Sequence, residues 1–234
     1  MTHEIPKIDY KEKTLEYYNQ NDEAFINGTL NVDFSETQEK FLSYLKPGDK
    51  ILDFGCGSGR DTKYFLEKGF EVRAIDGSKK MCEFASQFTG INVKQLVFLD
   101  FDEKNQYNGI WACSSILHLN SIELLIVLKK IADALKPNGI FYTSFKYGTF
   151  EGERNGRFFN DMNETRFSEL LEKIRFLEVL ENWVTEDVRT GHKNEKWFNV
   201  ICKKLFLESF YLSIPNKKQP SSCEKITPIA CKNE

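Results

Sequence analysis

Between residues 50 and 145, short apolar runs alternate with helix-length segments, and this rhythm constrains the fold of the 234-residue chain more than any other feature. Residues 50–54, 71–75, 93–98, 109–114 and 140–145 read as strands, and residues 60–68, 78–88 and 121–135 as helices. Lys136-Pro137-Asn138-Gly139 reads as a turn. Apolar strands separated by helices of this size imply right-handed crossovers and a parallel sheet, hence an α/β fold. Residues 164–173 read as a further helix, and 176–183 and 196–204 as two strands with no crossover helix between them. Those two are expected to form an antiparallel hairpin at a sheet edge, giving seven strands.

The flanks differ in character. Residues 10–30 carry Tyr10, Leu15, Tyr17, Tyr18 and Phe25 among charges, a weakly helical pattern ending at Asn27-Gly28. Residues 35–45 predict a second helix, with Ser35 as N-cap and Gln38 completing a capping box, stopped by Lys46-Pro47-Gly48-Asp49. Three of the six prolines fall at 215, 220 and 228, so 206–234 reads as an extension, largely disordered after 215.

A hydrophobic content of 41% is enough for one core. The cysteines at 56, 82, 113, 202, 223 and 231 form no C-x-x-C pair and no cluster with the histidines at 3, 118 and 192, so free thiols and no metal site are expected. The net charge of −3 argues against binding held mainly by duplex phosphates. No stretch approaches the roughly 20 apolar residues of a membrane span, and the charged N-terminus has no apolar run. A soluble, cytoplasmic protein is the expectation.

Asp53-Phe54-Gly55-Cys56-Gly57-Ser58-Gly59-Arg60 places a glycine-rich turn between the first strand and its helix. Such a turn can hold a dinucleotide pyrophosphate at the helix N-terminus, or it can be only a tight turn. The spacing is G-x-G-x-G, and Asp53 precedes the first glycine by two positions. A carboxylate there opposes a pyrophosphate but suits a cationic amino-acid arm, directly or by organising the loop amides. Asp76 lies 21 positions beyond Gly55, where an acid can accept both ribose hydroxyls. A nucleoside with a positive amino-acid arm fits these features better than a nicotinamide dinucleotide.

These residues resemble the class I S-adenosylmethionine-dependent methyltransferases. The matching stretches are Leu52 to Gly59 for the loop, Ala74-Ile75-Asp76-Gly77-Ser78 for the ribose acid, Asp100-Phe101 beside the adenine, and Leu135-Lys136-Pro137-Asn138-Gly139-Ile140 leading into strand five. The resemblance covers residues 36–204 and implies a Rossmann-like seven-stranded sheet in the order 3-2-1-4-5-7-6, with strand seven antiparallel. It implies S-adenosylmethionine as cofactor, held by Asp53, Gly55, Cys56 and Gly57, by Asp76, Gly77 and Ser78, by Asp100 and Phe101, and by Cys113 and Ser114. Residues 1–34 are then a helical lid carrying Tyr18 over the pocket, and 35–205 the methyltransferase domain.

The acceptor is expected beyond strands four and five, near Ser114, Ser115, His118, Ser144, Lys146 and Tyr147. His118 is a candidate general base or a packed core histidine. Lys146, ending a buried strand, needs a partner or an anionic ligand. Arg154 and Arg157 lie between Glu151 and Asp161, and read either as a cationic clamp for an anionic small molecule or as a salt-bridged loop. Asp187, Arg189, Trp197 and Asn199 repeat the polar and aromatic mixture, with Trp183 and Trp197 alternatively core.

A narrower resemblance, to small single-domain bacterial methyltransferases of the tellurite-resistance type, rests on Trp111 to Ser115, Ser144 to Gly148, Gly156 to Phe159 and Asp187-Val188-Arg189. Wobble-uridine tRNA methyltransferases resemble the cofactor half equally, but no basic strip accompanies it here. Methyl transfer to a small molecule leads. RNA methylation, a nicotinamide oxidoreductase and a non-catalytic cofactor-binding module remain the alternatives.

Overall fold

A central parallel strand is covered on both faces and therefore needs apolar residues at successive positions. In β1 (Lys50–Phe54), Ile51, Leu52 and Phe54 are all buried. The computed structural model describes residues 9–189 and 194–205; the extension expected over 206–234 lies outside them. β1 pairs in parallel with β2 (Glu71–Asp76) on one side and β4 (Tyr107–Ala112) on the other. β3 (Lys94–Gln95) adds beyond β2, and β5 (Leu135–Lys146) beyond β4. β9 (Lys196–Lys204) runs antiparallel to β5, and β8 (Leu177–Glu186) antiparallel to β9. The sheet order is β3-β2-β1-β4-β5-β9-β8, the expected seven-stranded arrangement.

Alternation sorts the strand residues between two layers. Ile51, Trp111, Tyr142 and Ile201 pack with Phe41 of α3 (Ser35–Leu42) and Phe65 of α4 (Arg60–Glu67). Their neighbours Leu52, Ile110, Phe141 and Val200 face the opposite layer, with α6 (Ser121–Ala134) and α7 (Glu164–Glu172). α6 buries Leu124, Val127, Leu128, Ile131 and Ala132, a continuous helical stripe. Asn120 caps it by accepting from the amides of Ile122 and Glu123. α5 (Lys79–Thr89) packs beside β2 through Cys82 and Ala85.

Several local expectations change. Residues 10–30 form two helices, α1 (Tyr10–Gln20) and α2 (Asp22–Thr29), and α2 runs through Asn27-Gly28. Ser35 does not cap α3; its amide and hydroxyl donate to Asp33, and the Gln38 side chain turns inward to Asp61 at 2.6 Å. The strand expected over 93–98 pairs only at Lys94–Gln95, after which a short 3₁₀ turn at Phe98–Asp100 swings Phe98 onto the Phe54 ring at 4.6 Å. The turn expected at residues 136–139 is absorbed as an irregularity of β5, with Asn138 at φ 62°. The polar segment after β5 is an antiparallel hairpin, β6 (Glu151–Arg154) and β7 (Arg157–Asn160). Asn155 and Gly156, at φ 52° and 76°, make the type I′ turn that matches strand twist.

Candidate active site

The turn after β1 is held open by glycines. Gly55 sits at φ 88°, and a Cβ there would lie 2.4 Å from the Cβ of Ser115. Gly55 and Cys56 both donate to the Ile75 carbonyl, at 2.9 and 3.0 Å, which fixes the loop to the end of β2. Asp76 then accepts from the amides of Gly57 at 2.9 Å and Ser78 at 2.8 Å. Burial raises its carboxyl above the usual range, against those bonds, so a further donor such as a ribose hydroxyl would stabilise the anion.

These residues open on a cavity of about 860 Å³ at the carboxyl ends of the strands. Among the expected cofactor residues, Tyr18, Gly55, Cys56, Gly57, Asp76, Gly77, Asp100, Cys113 and Ser114 line it. Three do not. Asp53 is buried behind the loop, where Thr62 of α4 donates to it at 2.6 Å, and burial with the neighbouring Asp61 pushes its carboxyl up. It therefore ties β1 to α4 and does not reach the ligand space. Ser78 caps α5 through Met81 and donates to Asn19 at 2.7 Å. Phe101 is fully buried against Phe54, because the 3₁₀ turn presents Phe98 and Asp100 instead.

On the far side, α1 lies across the strand ends. Tyr10 meets Phe158 at a centroid distance of 4.4 Å, Thr14 accepts from the Phe158 amide at 3.2 Å, and Leu15 covers Gly77. Phe25 of α2 closes over Gly57. Tyr18 reaches His118, its hydroxyl 2.8 Å from Nε2, while Nδ1 lies 2.6 Å from the Phe158 carbonyl. A carbonyl only accepts, so Nδ1 carries the hydrogen and Nε2 accepts from Tyr18. Burial, with Arg157 and Arg154 nearby, pushes the His118 pKa down to about 4.

The expected clamp separates into paired and unpaired cations. Lys146 pairs with Asp187 at 3.2 Å and with Glu195, and lies over the Trp197 ring at 4.1 Å. Burial lowers its pKa to about 8. Arg154 makes a two-pronged contact with Asp161, at 2.8 and 2.6 Å, which is the salt-bridged reading of that loop. Arg157 instead donates to the Tyr18 hydroxyl at 3.3 Å, its guanidinium over the Tyr17 ring at 4.3 Å. Asp187 is buried, which alone would raise it, yet bonds from Arg189 and Trp197 hold it well below the usual carboxylate range. Trp197 lines the cavity, whereas Trp183 packs against the α3 layer.

Arg60, Asp61 and Phe34 also line the cavity and went unassigned in the sequence. Asp61 accepts from Arg60, Gln38 and Trp111, and the Arg60 guanidinium sits 4.7 Å from the Phe34 ring. Arg60 was legible as the first residue after the glycines; the groups that fix Asp61 beside it, Gln38 of α3 and Trp111 of β4, come from distant segments and were not. Among the described residues no group of His, Cys, Asp and Glu forms a metal site, and no helix is long and apolar enough to cross a membrane.

Residues 51–139 match the methyltransferase domain family. The matched stretch runs from β1 into β5. A Burkholderia thailandensis 1,6-didemethyltoxoflavin-N1-methyltransferase, solved with 1,6-didemethyltoxoflavin and S-adenosylhomocysteine, shares the fold at a TM-score of 0.70 with 18% identity, over 87% of this chain and 93% of that one. The putative methyltransferase YqeM of Bacillus subtilis is 33% identical over 42% of this chain and 44% of its own length. Phosphoethanolamine N-methyltransferase 1 of Zea mays is 26% identical over 86% of this chain and 40% of its own. The chain thus spans less than half the length of these curated relatives. The cavity offers a glycine cradle without Cβ atoms, an acid at the end of β2, and Phe98 with Val97 and Leu99 as an apolar wall.

Proposed function

We propose that the chain transfers a methyl group from S-adenosylmethionine to a small-molecule acceptor. The observation that supports this is a continuous cavity, which runs from the glycine loop, Asp76 and Asp100 to His118, Lys146 and Arg157 under the cover of α1. Gly55, Cys56 and Gly57 would approach the amino-acid arm, Asp76 the ribose, and Asp100 with Phe98 the purine. When bound, the cofactor supplies a methyl group activated on a positively charged sulfur. The protein's part is then alignment and exclusion of water, which can supply most of the rate. Tyr18 and Phe25 close the space from above, while Ser114, at φ 52° and donating its amide to Ser144 at 2.9 Å, shapes the floor between β4 and β5. Lys146 and Arg189 together pair with Asp187 and Glu195 at the rim.

The narrower likeness to tellurite-resistance-type enzymes is supported only by the short runs around Cys113, Lys146, Arg157 and Arg189. Two measurements test the proposal. Calorimetry should show S-adenosylmethionine binding that Asp76→Ala weakens by about 1–3 kcal/mol, the range for a lost bond to a charged group; unchanged affinity would remove Asp76 from the site. Labelled cofactor incubated with cell metabolite and tRNA fractions should label the metabolites. Label confined to tRNA would replace the small-molecule acceptor with RNA.

A further inference from the structure

Arg157 stands apart from the other partly buried cations lining the cavity. Lys11, Arg60, Lys146, Arg154 and Arg189 each lie within ion-pair distance of an Asp or Glu. Arg157 has no carboxylate among the described residues. Its neighbours are the rings of Tyr17 at 4.3 Å, Phe159 at 5.1 Å and Tyr18 at 5.7 Å, and its Nε is buried with no hydrogen-bond partner. Ring faces attract a cation but offset only part of its desolvation, and a buried donor left unmade is unfavourable. Position is forced by the hairpin: Arg157 opens β7 directly after the Asn155-Gly156 turn, and its register partner Arg154 is already committed to Asp161. A second cation therefore faces the cavity with donors to spare.

Among the described residues, the expected proton acceptor at this end of the cavity and the carboxylates nearest the arginines are already engaged. Both His118 nitrogens are occupied, Nδ1 donating to Phe158 and Nε2 accepting from Tyr18. Asp161 and Asp187 are held by arginines, and the Lys146 ammonium serves two carboxylates. Methylation forms one bond from the acceptor atom to carbon and breaks one carbon–sulfur bond, leaving a neutral thioether. A neutral N–H or O–H acceptor would then have to lose a proton to some base. A singly negative acceptor ends neutral, and no proton has to leave.

We propose that the acceptor binds as an anion, a small planar carboxylate, thiolate or enolate, with Arg157 as its counter-ion. This rests on the methyl-transfer reading of the cavity. The methylated product would lose that charge and with it most of its attraction to Arg157, which favours release.

The test uses the full chain saturated with S-adenosylhomocysteine and three probes of nearly equal shape: benzoate, benzamide and benzamidinium. Calorimetry should show benzoate binding roughly tenfold or more tightly than either of the others, the range for a charge-assisted bond. Arg157→Gln should remove that preference by weakening benzoate alone, and Arg157→Lys should keep part of it. S-adenosylhomocysteine affinity in each variant, within about threefold of the parent, shows that the fold is intact. Benzamide or benzamidinium matching benzoate, benzoate failing to bind, or Arg157→Gln leaving benzoate unaffected would each overturn the assignment. Absence of S-adenosylhomocysteine binding by the parent chain would instead overturn the methyl-transfer reading, and this inference with it.

Discussion

His118 shows how two hydrogen bonds decide what a residue can do. Read in sequence it is the one histidine placed after strand four; in the fold its ring is a strut between the Tyr18 hydroxyl and the Phe158 carbonyl. Burial favours the neutral ring and lowers its pKa from 6.5 to about 4. The unfolded chain therefore takes up this proton near pH 6.5, while the native state resists until about pH 4. Stability supplied by the neutral ring is complete above pH 6.5 and falls as pH drops through that window, by at most about 3 kcal/mol. Urea melts at pH 7 and pH 4.5 should show the parent losing more stability than His118→Gln, since carboxylates common to both cancel. Equal losses would mean that the native ring takes up its proton near the ordinary histidine pKa of 6.5, as the unfolded chain does.

At the scale of elements, the β6–β7 hairpin and α1 form one cover. The hairpin contributes Phe158 and Arg157 to the underside of α1, and Lys13 adds an exposed pair to Glu153 worth little by itself. The geometry depends on a two-residue turn in which both residues hold positive φ, where only glycine is free of steric penalty. Gly156→Ala places a Cβ 3.3 Å from the Tyr17 ring at φ 76°. It should destabilise the hairpin by about 1 kcal/mol and raise exchange of the α1 amides roughly fivefold to tenfold, with β1 and β4 unaffected. Hydrogen exchange read by mass spectrometry distinguishes this from a global effect, in which all elements would exchange faster together.

For the whole molecule, the cofactor should act as a cross-brace, since the cavity draws on the turns after β1 and β4 and on β2, β5, α1 and α2 at once. S-adenosylhomocysteine at 100 times its Kd should add about 2.7 kcal/mol and raise Tm by about 5–10 °C in a domain of this size. NAD should leave Tm unchanged, because Asp76 already occupies the loop amide of Gly57 and opposes a pyrophosphate there. A shift with NAD alone would return the nicotinamide alternative.

Local periodicity and covalent neighbours account for the alternation that builds β1, β2, β4 and β5, for the antiparallel β8–β9 edge, and for the glycine turn followed by Asp76. Those signals are short-range, and physical chemistry reads them directly. The Asn155-Gly156 hairpin was legible by the same rule, since that dipeptide prescribes a type I′ turn, but the surrounding charges read as a polar loop. Which polar groups are satisfied depends instead on how distant segments meet in the fold. Asp53, Ser78 and Phe101 sit in matching motifs yet face away from the cavity, because Thr62, Met81 and Phe54 claim them. Lys146 and Arg154 meet carboxylates at Asp187 and Asp161, while Arg157 meets rings. Pairing across the fold depends on where distant elements come together, and the energy of a buried charge depends on that pairing more than on the residue itself.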